Sequence, residues 1–277
     1  MTQIIRDGGL VFGSDDAEVL WTSGPSIIYA GGGDDALRAC YQNDVAYLGE
    51  GNDTGFMMGG NDLAFGEDGD DLMYGGEGND WLDGGAGQDF LWGGEGSDQL
   101  FGKGGGDTVY GVAGTNGLYG SFGDDLILGG TGADVIFGGE DNDVIVGGDD
   151  NDWMAGSHGH NELMGGGGDD HIYGAMGRDG VREDRDNEMH YRGDDGNDLV
   201  FRFASEVDQL MIVGDINGTG VATADDFADH VSGYGDPDDP ESDFGTMIDL
   251  GADSTISLVG VAVGDVEADL GAFITVV

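Results

Sequence analysis

A nine-residue period runs through this chain and dictates what it can fold into. The stretch Gly75-Gly76-Glu77-Gly78-Asn79-Asp80-Trp81-Leu82-Asp83 reads G-G-x-G-x-D-x-U, with U a large apolar residue, and the next two nonapeptides repeat it. From Ala30 the register is complete. The sixth position is Asp35, Asp44, Asp53, Asp62, Asp71, Asp80, Asp89, Asp98, Asp107, Asn116, Asp125, Asp134, Asp143, Asp152, Asn161, Asp170 and Asp179. The eighth runs Leu37, Ala46, Gly55, Ala64, Met73, Leu82, Leu91, Leu100, Val109, Leu118, Ile127, Ile136, Ile145, Met154, Leu163, Ile172 and Val181. Residues 183–192 break the beat, with Glu188 where Asp is due, and one more repeat, Gly193 to Phe201, carries Asp198 and Val200. Fixed self-similarity of this kind is the mark of a solenoid.

Each unit divides into a six-residue turn and a three-residue strand. Adjacent glycines permit backbone angles closed to other residues. The x-U-x triplet is too short for a helix, but it makes a strand whose middle side chain faces one way and whose flanks face the other. Two units then form an 18-residue coil of two strands and two turns, and the U residues of both sheets meet as a thin core. Ala46, Gly55 and Ala64 bury little, so the early coils are expected to be weakly packed.

Residues eighteen apart stack about 4.8 Å apart, which lines carboxylates into two ladders. Two unit charges about 5 Å apart repel by roughly 0.8 kcal/mol even in water. Composition sharpens the problem, because the 277 residues carry 57 acidic and 8 basic side chains, a formal charge of -49. That balance excludes nucleic acid as a partner, since phosphate affinity comes from Lys and Arg, and it favours cations. Without cations the stack is not expected to form. The donors are hard oxygens only, carboxylates and backbone carbonyls, with no thiolate cluster or paired His to suit zinc. Calcium accepts six to eight oxygens in flexible geometry, so the cofactor read from the residues is Ca2+, in multiple ions.

The nonapeptide resembles the calcium-binding repeat of RTX (repeats-in-toxin) proteins with hemolysin-type repeats, over about residues 30–201. The resemblance implies an all-β, right-handed parallel β-roll (a β-helix solenoid) with two calcium-binding turns per coil. It also implies that each ion sits between successive turns on one edge, shared by two sixth-position side chains and by turn carbonyls. Asp71 and Asp89 would share one ion with carbonyls of Gly66–Gly69 and Gly84–Gly87, and Asp80 and Asp98 another. The metal residues carried over are the sixth-position set above with Asp198, and the turn glycines Gly51, Gly69, Gly76, Gly78, Gly85, Gly87, Gly94, Gly96, Gly105, Gly123, Gly130, Gly132, Gly139, Gly148, Gly166 and Gly168. Asn116 and Asn161 keep an oxygen but lose charge, which predicts weaker sites. The turn Ala39–Asn43 lacks Gly and departs from the pattern.

Three segments follow from this register. Residues 1–29 extend the frame backwards, with Leu10, Val19 and Ile28 at the apolar position and no Asp, and read as a metal-free capping coil. Residues 30–201 are the roll. Residues 202–277 read as a β-rich C-terminal cap, with strands at Val207–Val213 and across Thr246–Val263, a turn near Gly251-Ala252-Asp253, and a short helix at Asp225–Val231. In the cap, Asp215, Asn217, Thr219 and Asp226 fall at the oxygen positions of an EF-hand-like loop, a possible further calcium site set against an ordinary polar loop.

There is no apolar N-terminal run of signal-peptide length and no stretch that could span a bilayer. Family members leave the cell by type I secretion with an uncleaved C-terminal signal, and Asp269 to Val277, acidic and then apolar, fits one as well as it fits a final strand. The resemblance therefore implies an extracellular protein, secreted or cell-surface, with the type I machinery as a partner. The lone Cys40 rules out an internal disulfide.

No H-E-x-x-H, G-x-S-x-G or P-loop is present, and the carboxylates are accounted for by the register. No enzyme activity is expected. The outward seventh and ninth positions carry stripes: Phe56, Leu72, Tyr74, Phe90, Trp92, Tyr110, Leu126, Leu128, Val144 and Val146 on one face, and Tyr47, Phe65, Trp81, Phe101, Tyr119, Phe137, Trp153 and Tyr173 on the other. They support either cross-strand stacking or a surface for self-association or polysaccharide. The expected function is a calcium-folded extracellular protein with a structural, adhesive or matrix role. The alternative is a calcium-dependent polysaccharide-binding module like those of alginate epimerases, with Arg178, Arg182, Arg185, Arg192 and Arg202 as its local basic cluster.

Overall fold

The computed structural model describes residues 2–173, 188–191, 197–201, 209–212, 231–234, 245–251, 254–259 and 274–276. The chain divides into two units, Met1–Gly139 and Glu140–Val277. Both are all-β, and no helix occurs among the described residues.

In the first unit successive strands alternate between two parallel sheets. Leu72–Glu77, Phe90–Glu95 and Thr108–Ala113 are neighbours in one, and Leu63–Asp68, Trp81–Ala86 and Gln99–Gly104 in the other. Leu91 stands opposite Met73 and Val109, and Leu82 opposite Ala64 and Leu100. The step is the eighteen residues expected, and it places the eighth-position side chains in two inward files. Met73, Leu82, Leu91, Leu100, Val109, Leu118, Ile127 and Ile136 are all fully buried.

The strands are longer than the triplet reading allowed. Trp81–Ala86 and Phe90–Glu95 run six residues, through U and into the next pair of glycines. The glycines take part in the ladder: Gly94 pairs with Gly76, and Gly78 N–H donates to the Glu95 carbonyl at 2.8 Å. Only three residues remain for each turn. The weak early core is also better filled than expected. Leu48 sends its Cδ1 to 3.4 Å from where a side chain on Gly55 would begin.

The frame extended back over residues 1–29 is wrong by one residue. Leu10 is 59% exposed, while Val11 and Leu20 are buried beside Ile28. Val11 pairs with Ile28 and Leu20 with Leu37, steps of seventeen. The unit between Leu20 and Ile28 is one residue short, and a one-residue slip turns a strand's faces over. The sixth position there is not empty either, because it holds Glu18 and Ser26, both buried.

In the second unit one sheet runs Val144–Asp149, Glu162–Gly167, Glu188–Tyr191, Gln209–Ile212 and Ile274–Val276. The other runs Trp153–Ser157, His171–Tyr173, Asn197–Phe201 and Ser254–Val259, then antiparallel Gly245–Gly251 and Val231–Tyr234. Gln209–Ile212 falls within the expected 207–213 and Ser254–Val259 within 246–263. Gly245–Gly251 begins one residue ahead of that range, Ile274–Val276 is the final strand, and Val231–Tyr234 is a strand the sequence reading did not include. Ile248 and Ile256 are buried. The eighteen-residue step fails earlier than the sequence suggested, because Met189, not Val181, stands opposite Leu163. Val181 is flanked by Gly180 and Arg182, a poorer strand sequence than Met189 to Tyr191. Val200 stands opposite Ile172. The proposed helix at 225–231 lies outside the described residues, except that Val231 opens a strand.

The buried file carries the packing, so Leu91→Ala should cost about 2–5 kcal/mol. Leu126→Ala on the outer face of the same sheet, 38% exposed, should cost about 0.5 kcal/mol. Urea unfolding in calcium compares the two, and equal losses would contradict this placement of the core.

Candidate metal-binding turns

Each turn is set by glycine. Gly85 and Gly87 have φ of 108° and 145°, a region that side chains rarely enter. All sixteen turn glycines named from the sequence share positive φ. The second position keeps it even where the sequence supplies Glu67, Lys103, Val112 or Ser121, at a cost of roughly 1–2 kcal/mol each. At the fourth position contact is as important as angle. A Cβ on Gly87 would press into the Gly69 carbonyl of the coil before.

Against this frame the sixth-position aspartates turn inward. All those described, from Asp35 to Asp170, are buried, as are Asn116 and Asn161. One carboxylate oxygen is used the same way in coil after coil. Asp89 Oδ1 accepts the N–H of Asp71 at 2.8 Å, Asp98 Oδ1 that of Asp80 at 2.8 Å, and Asp107 Oδ1 that of Asp89 at 2.8 Å. The other oxygen is buried and receives no donor at Asp71, Asp80, Asp89, Asp98 and Asp107. A buried charged oxygen without a partner costs several kcal/mol.

What faces that oxygen is another oxygen. The first glycine of each turn is skipped by the strand register: Asp83 pairs with Phe101 and Gly85 with Lys103, but Gly84 with nothing. A Cβ placed on Gly84 would stand under 3.0 Å from both Asp89 Oδ2 and the Gly102 carbonyl oxygen. The same holds at Gly66, Gly75, Gly93 and Gly102 with their own aspartates and next-coil carbonyls. Two oxygens thus close on one point above a bare α-carbon, a cradle that can hold a cation with contacts of about 2.3–2.6 Å. Among the described residues no three His, Cys, Asp or Glu side chains converge. Any ion here takes most of its ligands from the backbone, which suits a hard, oxygen-seeking metal.

Burial pushes these carboxyls far above the usual range, and at Asp71, Asp80 and Asp89 like charges next door add to it. Asp71, raised also by Asp53 and Asp89, and Asp80 and Asp89 reach about 7. Asp98 and Asp107 reach about 6.

Two departures sharpen the picture. Asn116 spends its Oδ1 on the Asp98 N–H at 2.9 Å and turns its Nδ2 to the Gly114 carbonyl at 3.2 Å. A donor therefore stands where the other turns offer a ligand oxygen. Asn161 Oδ1 likewise accepts from Asp143 N–H at 2.8 Å. Cys40 is buried, and its N–H and thiol both donate to Asp44 Oδ2, at 3.2 and 3.3 Å.

Sequence reasoning left two features out. The first-position glycines were named only within loops, because a G-G pair does not show which member makes room for the carboxylate. The fifth position, treated as variable, forms a second ladder running the other way. Asn52 Oδ1 accepts the N–H of Asp70 at 3.1 Å, and Asn79 Oδ1 that of Ser97 at 2.8 Å. Its signal was legible as recurrent Asn and Asp at Asp34, Asn43, Asn52, Asn61, Asp70 and Asn79. Asp179, the Arg cluster and the EF-hand-like Asp215, Asn217, Thr219 and Asp226 lie outside the described residues, as does the side chain of Asp198.

Comparison with known proteins agrees with this geometry. A family model described as the RTX calcium-binding nonapeptide repeat matches eight overlapping segments spanning residues 12–55 and 58–181. The chain belongs to this calcium-binding repeat family. No curated protein matches it. Among solved structures, the extracellular lipase LipA from Serratia marcescens aligns with a TM-score of 0.29 at 17% identity, covering 66% of this chain and 40% of the lipase. The chain thus spans less than half the length of that protein.

Two outcomes follow from the cradle. Gly84→Ala should raise the calcium concentration needed for folding severalfold, whereas Gly104→Ala, whose Cβ would meet nothing closer than 3.7 Å, should leave it unchanged. Circular dichroism during calcium titration compares them, and equal midpoints would refute the cradle. The second concerns protons. A carboxyl raised to about 7 when folded, against 3.8 when unfolded, stabilises the metal-free fold fully below 3.8 and loses that effect as pH rises through 7. In calcium-free buffer the β signal should therefore grow as pH falls from 8 to 5, and a flat response would contradict it.

Proposed function

We propose that this RTX-repeat chain is a calcium-triggered extracellular scaffold, unfolded at submicromolar cytosolic calcium and folded at the millimolar calcium outside. The observation that carries the reading is the buried Oδ2 of Asp71, Asp80, Asp89, Asp98 and Asp107, which lacks a donor and faces a carbonyl. Calcium at these turns turns a repulsive pair of oxygens into a ligand pair. The ligands assigned are the sixth-position carboxylates and the backbone carbonyls of the glycine turns. An ordered ladder of such sites couples each coil to the next, so folding is cooperative along the roll.

Folding after export suits a protein carried out by the type I machinery, since an acidic chain without calcium remains unfolded for passage. The role proposed is structural or adhesive and non-enzymatic. The aromatic stripes support it. Tyr29, Tyr47 and Phe65 stack face to face at 4.9 and 5.0 Å, and Phe101, Tyr119 and Phe137 at 4.7 and 5.4 Å. Rings whose faces meet one another brace the sheet and leave edges to a ligand.

Circular dichroism with chelator and then calcium tests the reading. The chain should lose its β spectrum in EDTA at pH 8 and regain it at millimolar calcium, and a β spectrum indifferent to chelation would sink it.

A further inference from the structure

One turn of the roll is built unlike the rest. Where the repeat asks for G-G-x-G-x-D, residues 39–44 read Ala39-Cys40-Tyr41-Gln42-Asn43-Asp44, the only turn between Ala30 and Asp170 without a glycine. A local rule broken once in so regular a chain marks a place where something besides folding selects the residues.

The turn is held in place by other means. Cys40 bonds Asp44 Oδ2 through its N–H and thiol, and Ala39 N–H donates to the Phe56 carbonyl at 2.8 Å. The Tyr41 ring lies against the bare α-carbon of Gly59, where an added Cβ would stand 3.2 Å from its Cδ1. Cys40, Tyr41 and Gln42, with Trp21, Ser23 and Arg38, line a cavity of about 340 Å³, within the size range of small-ligand sites.

The groups around this cavity are uncommitted. Arg38 stands between Trp21 and Phe56 in the outer file, where the later coils carry stacked rings such as Phe56 and Tyr74. It cuts Trp21 off from that stack. Trp21 is 44% exposed and Tyr41 67%, and among the described residues neither ring meets another. The described residues include three basic side chains, Arg6, Arg38 and Lys103. Lys103 pairs with Asp83. Arg6 and Arg38 form no ion pair among the described residues, and they flank Thr22 and Trp21 in the ladder. Two of the carboxylates at the border are engaged: Asp7 accepts the Ser23 hydroxyl at 3.1 Å, and Asp44 lies buried behind Cys40.

We infer that this cavity binds a sugar ring bearing a carboxylate, one residue of an acidic extracellular glycan. Arg38 receives the carboxylate through its paired N–H groups. Trp21 and Tyr41 offer flat apolar surface to the C–H side of the ring, and the Gln42 amide and Ser23 hydroxyl take its hydroxyls. An acidic peptide is the poorer match, because it needs backbone partners and the N–H groups of Ala39 and Cys40 are already bonded. The formal charge of -49 opposes an anion only weakly, since exposed charges are screened beyond about 8 Å and calcium in the turns offsets the carboxylates. The inference rests on the adhesive reading and deepens it by naming what the scaffold holds.

Calorimetry of the calcium-folded chain with trigalacturonate and with its fully methyl-esterified form tests this. The acid should bind, and the ester should bind about tenfold more weakly or worse. Arg38→Gln and Trp21→Ala should each weaken binding of the acid by about tenfold or more. Phe122→Ala, which removes a ring 60% exposed elsewhere, should leave it unchanged, and circular dichroism should give all three variants the native calcium midpoint. Equal binding of acid and ester, full binding by Arg38→Gln, or no binding by a chain that shows its β spectrum in calcium would each overturn the site and leave the calcium scaffold standing. An oligoglutamate peptide that binds as tightly as trigalacturonate would overturn the sugar. A chain without a β spectrum in calcium would overturn the scaffold and the site together.

Discussion

A buried carboxylate with one oxygen bonded and the other facing a carbonyl is the constraint on which this fold turns. The bonded oxygen is what stitches the coils, because Asp89 cannot accept from Asp71 without turning its second oxygen inward. The same side chain therefore builds the ladder and charges it. Removing the charge by substitution would not solve the problem, as Asn116 illustrates. It keeps the stitch to Asp98 but presents N–H groups to the cradle. Asp44 meets both demands from within the protein, through the Ser26 N–H on Oδ1 and Cys40 on Oδ2, but at Asp71 through Asp107 no donor reaches Oδ2. There a proton or a cation satisfies both oxygens at once. The acidic composition follows from this arrangement.

Glycine answers two separate demands in the same turn. At the second position it supplies positive φ, and the chain tolerates Val112 or Lys103 there, so the angle is expensive but negotiable. At the first and fourth positions it supplies space. A Cβ on Gly87 would meet a neighbouring carbonyl, and one on Gly84 would meet the carboxylate itself. Backbone atoms cannot yield as a flexible side chain does. The angle is a local requirement of one turn, whereas the space is a requirement between coils.

How much of this could be read from the residues depends on which demand a residue meets. The sixth and eighth positions were legible because each is fixed by one chemistry and one side of a strand, and Asp71 through Asp107 with Met73 through Val109 stand where the period puts them. Strand length was not legible, since the glycines that look like turn are half ladder. The slip before Ile28 was hidden by apolar neighbours, Leu10 beside Val11 and Val19 beside Leu20, which give a frame in either register. The step from Leu163 to Met189 was hidden because Asp179 and Val181 satisfy the pattern without supplying the strand. The first-position glycine was hidden because its role lies in a contact between coils, and a single repeat does not contain that contact.

The outer faces complete the physical account. A core one side chain deep in each sheet leaves every strand with a second face in water, and a polar face there would add little to stability. Rings at the ninth position meet the strand spacing almost ideally, since a stack near 4.9 Å matches neighbouring strands about 4.8 Å apart. Asp83 breaks the file between Phe65 and Phe101, and the repair is local. Trp81 moves over Phe101 at 4.5 Å, and Lys103 lies over the same ring while pairing with Asp83 at 3.3 Å. An outer ladder that mends its own gap behaves as a second, external core, and it keeps the coils in register at the faces while the carboxylates govern the edges.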